Sequence, residues 1–320
     1  MKKIASSLLA AAFALALPLA GPALGQEEFR IMAPAGPGGG YDQTARSMQQ
    51  VLMELGLAKD VQVYNVPGAG GTIGLAQFVR QNKGNPGAMM MSADTMIGAT
   101  ITNKSPVGID AVTPLARLTS DYHIIVVPTS SGLKTMGDLV AMLKNDPGKV
   151  SWAGGSAGGS DHVAAALIAR AVGVEPGKLN YVAFSGGGES LAAVLSGAYT
   201  VGINTYSELS GQVQSGRLRA LAIASPAPVP GFNAPTLKQS GIDLITRTWR
   251  FVAGAPELTA AQRTAVTEKL TNMARSAQWA KISESKGWQG DFLTGAQLDA
   301  FVADEKKNIT AVLVELGLAK

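Results

Sequence analysis

Apolar residues recur along this chain in two rhythms. Phe29-Arg30-Ile31-Met32, Val61-Gln62-Val63-Tyr64-Asn65-Val66, Val150-Ser151-Trp152-Ala153 and Leu179-Asn180-Tyr181-Val182-Ala183-Phe184 are short strand-like runs. Each is followed by a glycine loop and then by a helical stretch; after the first loop the apolar positions are Ala45, Met48, Val51/Leu52 and Leu55. Short alternating or continuous runs predict strands, and spacings of three and four predict amphipathic helices. The loops are Gly36-Pro37-Gly38-Gly39-Gly40, Pro67-Gly68-Ala69-Gly70-Gly71, Gly154-Gly155-Ser156-Ala157-Gly158-Gly159 and Ser185-Gly186-Gly187-Gly188. Ala88-Met89-Met90-Met91 adds a buried strand of soft core filler, ending at the polar Ser92-Ala93-Asp94-Thr95 before a short helix.

The same patterns carry on through the chain. Val112 to Thr119 and His123 to Pro128 predict two strands, and Thr135 opens a helix stopped by Asp146-Pro147-Gly148. Val201 to Thr205 predicts a strand, Ser207 to Ser215 a helix, and Leu218 to Ala224 a further buried strand. Pro226, Pro228, Pro230 and Pro235 mark a surface loop before the strand Thr248 to Ala253. Thr72, Thr259 and Thr294 are placed to cap helices. Glu54-Leu55-Gly56-Leu57-Ala58-Lys59 recurs as Glu315 to Lys320, two helix ends that share a glycine cap and not a tandem repeat.

Strands alternating with helices imply an α/β protein with mostly parallel sheets flanked by helices. Two strand–glycine–helix pairs precede about residue 120 and two follow 148. The expected architecture is therefore two-lobed, with loop edges facing across a ligand cleft. Lobe one would take 26–122 plus 247–320, including the C-terminal helices, and lobe two 123–246. Ligands in open α/β sheets bind at the carboxyl ends of strands, where all four glycine loops would lie. Glycine lets backbone approach a ligand closely, and the first turn of a helix presents unpaired N–H groups. Such an end carries roughly half a positive elementary charge and attracts anions.

Composition narrows the class. Apolar residues make up 46% and charged residues 16% of the chain, enough for packed cores and unlike a disordered protein. Residues 1–25 read as a secretory signal peptide, with Lys2 and Lys3, an apolar stretch from Leu8 to Leu19, and Ala23-Leu24-Gly25 before a cut ahead of Gln26. Pro18 and Pro22 interrupt that stretch short of the roughly 20 apolar residues a membrane span needs. Without Lys2 and Lys3 the 27 basic residues become 25 against 23 acidic, and the formal charge falls from +4 to +2. No basic run with interleaved aromatics suggests nucleic acid. The exported chain is expected to be soluble and periplasmic, a monomer with no stable membrane insertion; with no cysteine it can form no disulfide.

Several motifs compete for the function. Gly154-Gly155-Ser156-Ala157-Gly158 matches a serine-hydrolase nucleophile elbow, and an exported serine hydrolase is the alternative from another class. Of the two histidines, His123 and His162, only His162 follows Ser156, six residues on and inside the helix that the loop introduces. Its imidazole should point away from the turn, as a helix-face residue partnering Asp161 or a backbone carbonyl. No loop spells Gly-x-Gly-x-x-Gly or a Walker A sequence, and two histidines without cysteine are too few for a transition-metal site. No cofactor is implied. Asp42 and Arg46, four apart, form either a surface pair or a tie by which Asp42 holds the glycine loop or an ordered water at the ligand. Arg247 and Arg250 flank Trp249 on alternate faces of a strand and could grip a carboxylate.

Taken together, Pro34-Ala35-Gly36-Pro37-Gly38-Gly39-Gly40-Tyr41-Asp42, Asn65-Val66-Pro67-Gly68-Ala69-Gly70-Gly71-Thr72-Ile73-Gly74, Ser185-Gly186-Gly187-Gly188-Glu189 and Thr248-Trp249-Arg250 behind a signal peptide resemble the periplasmic solute receptors of tripartite tricarboxylate transporters, the Bug family. The resemblance covers essentially the whole exported chain. It implies a Venus-flytrap fold that closes on a small carboxylate, a di- or tricarboxylate such as citrate or a related organic acid, held by backbone amides and ordered waters. By position, Gly39, Gly40, Tyr41, Asp42, Gly70, Gly71, Thr72, Ser92 and Thr95 would line lobe one. Ser156, Ser160, Ser185, Gly186, Gly187, Gly188 and Asn204 would line lobe two. Asn204 stands where members of the family often have Asp. The implied partner is a two-component membrane permease, and a receptor that signals to a membrane kinase is the variant reading of the same binding protein.

Overall fold

A computed structural model describes residues 28–319, so the signal-peptide segment lies outside the described residues. The chain opens with β1 (Glu28–Ala33) and α1 (Gly40–Glu54), whose Ala45, Met48, Val51 and Leu52 form its buried face. β2 (Asp60–Asn65), α2 (Thr72–Gln81), β3 (Ala88–Ala93) and α3 (Asp94–Thr102) follow. β1 lies between β2 and β3, parallel to both. Every residue of β3 is buried, and its methionines divide between two cores: Met89 and Met91 pack with α1, Met90 with α2 and α3. That two-sided burial explains the continuous apolar run.

β4 (Thr113–Pro128) is one strand of 16 residues where the sequence pattern suggests two. The middle at Thr119-Ser120-Asp121 is polar but fully buried, with Ser120 and Asp121 each partnered from a different lobe. Ser120 bonds Asp291, and Asp121 accepts from Ser207 Oγ at 2.6 Å.

Then come α4 (Met136–Asn145), β5 (Ser151–Gly154), α5 (Ser160–Ala171), β6 (Asn180–Ala183), α6 (Gly187–Leu195), β7 (Val201–Thr205), α7 (Tyr206–Gln214) and β8 (Leu218–Ile223). The chain returns through β9 (Arg247–Gly254) and ends with α8 (Ala260–Ala274), α9 (Ala277–Lys286), β10 (Leu293–Thr294) and α10 (Gly295–Glu315). Thr135 and Thr259 make reciprocal capping boxes with Asp138 and Gln262. Thr72 differs from expectation. It is the first helical residue, its hydroxyl bonding back to Ala69 O at 2.9 Å, and Gly71 precedes it in a left-handed conformation.

The strand order is β2-β1-β3-β9-β4-β7-β5-β6, with β8 and β10 also on β4. The result is a two-lobed α/β fold whose sheets share β4. Pairing is parallel within β2-β1-β3 and β6-β5-β7 and antiparallel at β9, β4, β8 and β10. The sheets meet where Tyr122 pairs with Arg247 on one side and His123 with Thr205 on the other. Each sheet has an apolar cluster on both faces. In the second lobe Ile125 and Val127 face Trp152 and α5, while Ile124 and Val126 face Val194 and Leu209.

Candidate functional site

The carboxyl ends of β1, β3, β5, β6 and β7 all open toward the same gap between the lobes. A cavity of about 60 Å³ lies there, room for a handful of waters at roughly 10–15 Å³ each. Lobe one contributes Pro34, Ala35, the start of α1 at Gly39, Gly40 and Tyr41, then Gly70, Ala93, Thr95, Thr248 and Arg250. Lobe two contributes Gly155, Ser156, Ser160, Asp161, Ser185, Gly186, Gly187, Thr205 and Glu208. The lobes touch across this gap: Thr95 Oγ1 and Ser160 Oγ are 3.0 Å apart, and Ser160 N donates to Thr95 Oγ1 at 3.2 Å.

The charge pattern differs from a site lined by free amides alone. Four of the segments at the gap are tied by the chain's own acids. Gly38 N donates to Asp42 (2.9 Å), Thr95 N to Asp94 (2.7 Å), Gly155 N to Asp161 (2.8 Å) and Ser185 N to Glu189 (3.1 Å). Gly40 N, at the start of α1, donates across the cleft to Glu208 Oε1 at 2.6 Å. The other oxygen of Glu208 accepts from Thr205 N (3.2 Å) and Thr205 Oγ1 (2.9 Å), the capping box of α7.

The cation of the site is Arg250, 4% exposed, its guanidinium packed beneath Gly40. It reaches Asp121 Oδ2 and Thr205 Oγ1, each at 3.5 Å, contacts long enough to leave donors for a further acceptor. Behind it, His123 Nε2 lies 3.3 Å from Asp161 Oδ1. Burial pulls the His123 pKa down, but Asp161, with Asp94 and Asp121, outweighs it and holds the pKa above the usual histidine range. Burial pushes Asp94 up to about 6 against the pull of Thr248, His123, Thr95 and Arg250. Burial also raises Glu208, with Arg250 opposing and Asp161 and Asp121 adding to the rise.

Eleven sequence-predicted residues come together on the cavity wall: Gly39, Gly40, Tyr41, Gly70, Thr95, Ser156, Ser160, Ser185, Gly186, Gly187 and Arg250. Seven do not. Asp42 is buried behind the loop, where it ties Gly38 N and also pairs with Arg46 at 3.0 Å, so the pair is not a plain surface one. Gly71, at φ 91°, and Thr72 shape the turn beneath the wall. Ser92 Oγ is turned to Met96 Sδ, and Asn204 bonds Asp161 and Ser190 beneath the floor. Gly188 meets Pro37 O from the other lobe. Arg247 sits on the opposite strand face, half-exposed and paired with Asp291, so the two arginines do not act as one grip.

Sequence reasoning missed Glu208, Thr205, Asp161 and Thr248 as wall residues. Thr205-Tyr206-Ser207-Glu208 carries a capping-box spacing that could have flagged the first two. His162 also differs from expectation. Its Nδ1 accepts from Gly158 N at 3.1 Å and its ring stacks on Tyr181, while Asp161 partners His123 instead. Burial takes the His162 pKa down to about 4. Ser156 Oγ donates to Phe184 O at 3.4 Å, while His162 Nδ1 faces Gly158 N and His123 Nδ1 faces Thr246 Oγ1, so among the described residues neither histidine is bonded to Ser156.

Comparison with known proteins agrees with this architecture. The description of the tripartite tricarboxylate transporter family receptor matches residues 44–318. Protein BugT of Bordetella pertussis is 24% identical over 309 residues, covering 95% of this chain and 93% of its own. The periplasmic binding protein BugD has a similar structure, with a TM-score of 0.82 and 19% identity, covering 92% of this chain and 99% of BugD. An R. palustris protein, Rpa4515, solved with adipate, has a TM-score of 0.81 and 18% identity over 92% of this chain and 99% of its own. Among the described residues, no helix is long and apolar enough to cross a membrane.

Proposed function

Because the chain belongs to the tripartite tricarboxylate transporter receptor family, a family of solute-binding and not catalytic proteins, we propose that it captures a small carboxylate between its lobes and delivers it to the transporter's membrane permease. The observation that carries this reading is the cavity itself. It brings Arg250, Ser156, Ser160 and Thr95 from two lobes to one small space at the strand ends. A buried guanidinium with hydroxyl donors around it is suited to one carboxylate group. The adipate held by the R. palustris relative supports the same ligand chemistry.

Capture would proceed by closure. The carboxylate docks on one lobe, and contacts available only in the closed form shift the population toward it. The hinge would lie at 122–123 and 246–247, dividing the chain into the lobes expected from its sequence. Export to the periplasm through residues 1–25 places the receptor beside its permease.

Melting curves test the binding reading. A ligand present at about 100 times its Kd adds about 2.7 kcal/mol to stability. Among small carboxylates, at least one should raise Tm at millimolar concentration. If every carboxylate leaves Tm unchanged and a solute of another class raises it, the ligand chemistry is wrong.

A further inference from the structure

Arg250 is the cation on the cavity wall, and it already serves more than one acid. Its guanidinium lies 3.5 Å from Asp121 Oδ2, and its charge also acts on Glu208 and Asp94. Two acids line the cavity itself, Asp161 and Glu208, both from lobe two. They are held differently. Asp161 accepts from Gly155 N at 2.8 Å and Asn204 Nδ2 at 3.1 Å, and has the ring of His123 at 3.3 Å as its own counter-charge. Glu208 accepts from neutral donors, Gly40 N at 2.6 Å, Thr205 N at 3.2 Å and Thr205 Oγ1 at 2.9 Å. The positive charge that faces it is Arg250.

A carboxylate captured in this cavity claims the same guanidinium, so Glu208 must then share its counter-charge with the ligand. The surroundings cannot make up the difference. Asp94, Asp121, Asp161 and Glu208 meet Arg250 and His123 here, four negative charges against two positive ones even with His123 protonated. One more anion in a space of about 60 Å³ raises the affinity of a neighbouring carboxylate for a proton. Glu208 is the wall acid built to take it. The Thr205 hydroxyl that donates to it is donor and acceptor both, and can turn to accept a new O–H from the glutamic acid. Asp161 faces N–H donors, and a proton placed there would meet one of them.

Resting on the carboxylate reading above, we propose that Glu208 is a proton-binding site coupled to capture: the carboxylate enters with one proton, taken from solvent onto Glu208 as the lobes close on the ligand. The groups around it agree with that role. Burial already raises its pKa above the usual glutamate range; Arg250 from β9 lowers it, Asp161 from α5 and Asp121 from β4 add to the rise, and Gly40 of α1 and Thr205 of β7 are neutral. A bound anion raises it further, so the complex holds the proton more firmly than the free receptor does. Affinity is therefore greatest below the ligand-free pKa of Glu208. It weakens as pH rises toward the ligand-bound pKa, by up to about tenfold per pH unit.

Calorimetry with succinate, malate and adipate tests this, each titrated from about pH 6.5 to 9, above the ordinary carboxyl range, in buffers of different ionisation heat. Where a carboxylate binds wild type, the heat should follow the buffer with the sign of proton uptake, and Kd should rise with pH. Glu208→Gln keeps the residue type that closes a capping box, so α7 retains its start. That variant should lose most of the uptake and bind with a flatter pH profile. Ligand-induced difference infrared spectra of wild type give a second readout that needs no variant: a protonated-carboxyl band should appear on binding and stay put when the ligand carboxyls carry ¹³C. If a carboxylate binds with no proton exchanged and no such band, the proposal falls while the carboxylate reading stands. Uptake undiminished in a folded Glu208→Gln places the proton on another group and also overturns it. If none of the three binds at any pH while a solute of another class does, the carboxylate reading falls and this proposal with it.

Discussion

At the scale of single residues, the buried acids around the cleft tie stability to pH. Asp94 begins α3, half-buried beside the cleft, with Thr248 Oγ1 donating to it at 2.5 Å and Thr95 N at 2.7 Å. Its pKa is 3.8 in the unfolded chain and about 6 when folded. Between those values the folded state holds the proton more often, so stability falls as pH rises through the window and the loss is complete above about 6. A pKa raised by about 2 on folding corresponds to roughly 3 kcal/mol. Asp94→Asn keeps an acceptor for both donors and has no proton to lose. Urea titrations from pH 4 to 7 should find it flatter than wild type below pH 6 and more stable at pH 7, by up to about 3 kcal/mol. A variant that followed the wild-type slope would show that Asp94 ionises freely. His123 acts in the same sense at higher pH: its pair with Asp161 stabilises fully below 6.5 and is lost as pH rises through its raised pKa. Asp42 acts oppositely. Burial would raise its pKa, but bonds from Arg46, Gly38 and Asn65 lower it, so its contribution is present above 3.8 and is lost as pH falls through the folded value.

At the scale of elements, the glycine-led helix starts serve closeness between lobes more than exposure of amides. Gly188, the second residue of α6, has ordinary helical backbone, and a Cβ there would press on Pro37 O of the other lobe. Gly188→Ala should therefore leave Tm unchanged or slightly raised, because alanine favours a helix over glycine by about 1 kcal/mol. The same variant should bind its ligand about tenfold more weakly or worse, with a larger radius of gyration in ligand-saturated scattering. Unchanged affinity would mean that the Pro37 loop yields and the contact plays no part in closure. Gly71 is the contrast. At φ 91° and against Pro34 and Met96, it is a position of the fold, and valine there would cost folding itself. These loops were legible because strand, glycine and helix follow each other in local sequence. The shared cap was legible too: Leu57 N donates to Leu52 O at 2.9 Å and Leu318 N to Leu313 O at 2.8 Å, with Gly56 and Gly317 left-handed at each end. β4 was not, since the burial of its polar middle depends on partners as distant as Ser207 and Asp291. Glu208 was hidden for a similar reason. Its local role is to cap its own helix, and its reach to Gly40, 168 residues away, exists only once the lobes meet.

At the scale of the molecule, two sheets share one long strand, and the site exists only where the lobes come together. Polar contacts bridge the lobes in this form, outside the four apolar clusters within them: Thr95 with Ser160, Gly40 with Glu208, Asp121 with Ser207, and Arg170 of α5 with Glu315 of α10. Polar interdomain contacts of this kind are compatible with relative motion of the lobes. Closure can therefore be made a switch. The chain has no cysteine, so a pair placed at Thr95 and Ser160, whose hydroxyls lie 3.0 Å apart, would find no other partner. A disulfide needs its Cβ atoms about 3.5–4.5 Å apart, a span that two touching hydroxyls can meet. When oxidised, Thr95→Cys with Ser160→Cys should hold the lobes shut and slow ligand association by about a hundredfold, since ligand must enter before closure. Reduction should restore the rate of the free double variant, which serves as the control for any harm done to the site itself. If the oxidised and reduced forms take up ligand equally fast, the solute does not enter between the lobes, and capture by closure is the wrong mechanism for this receptor.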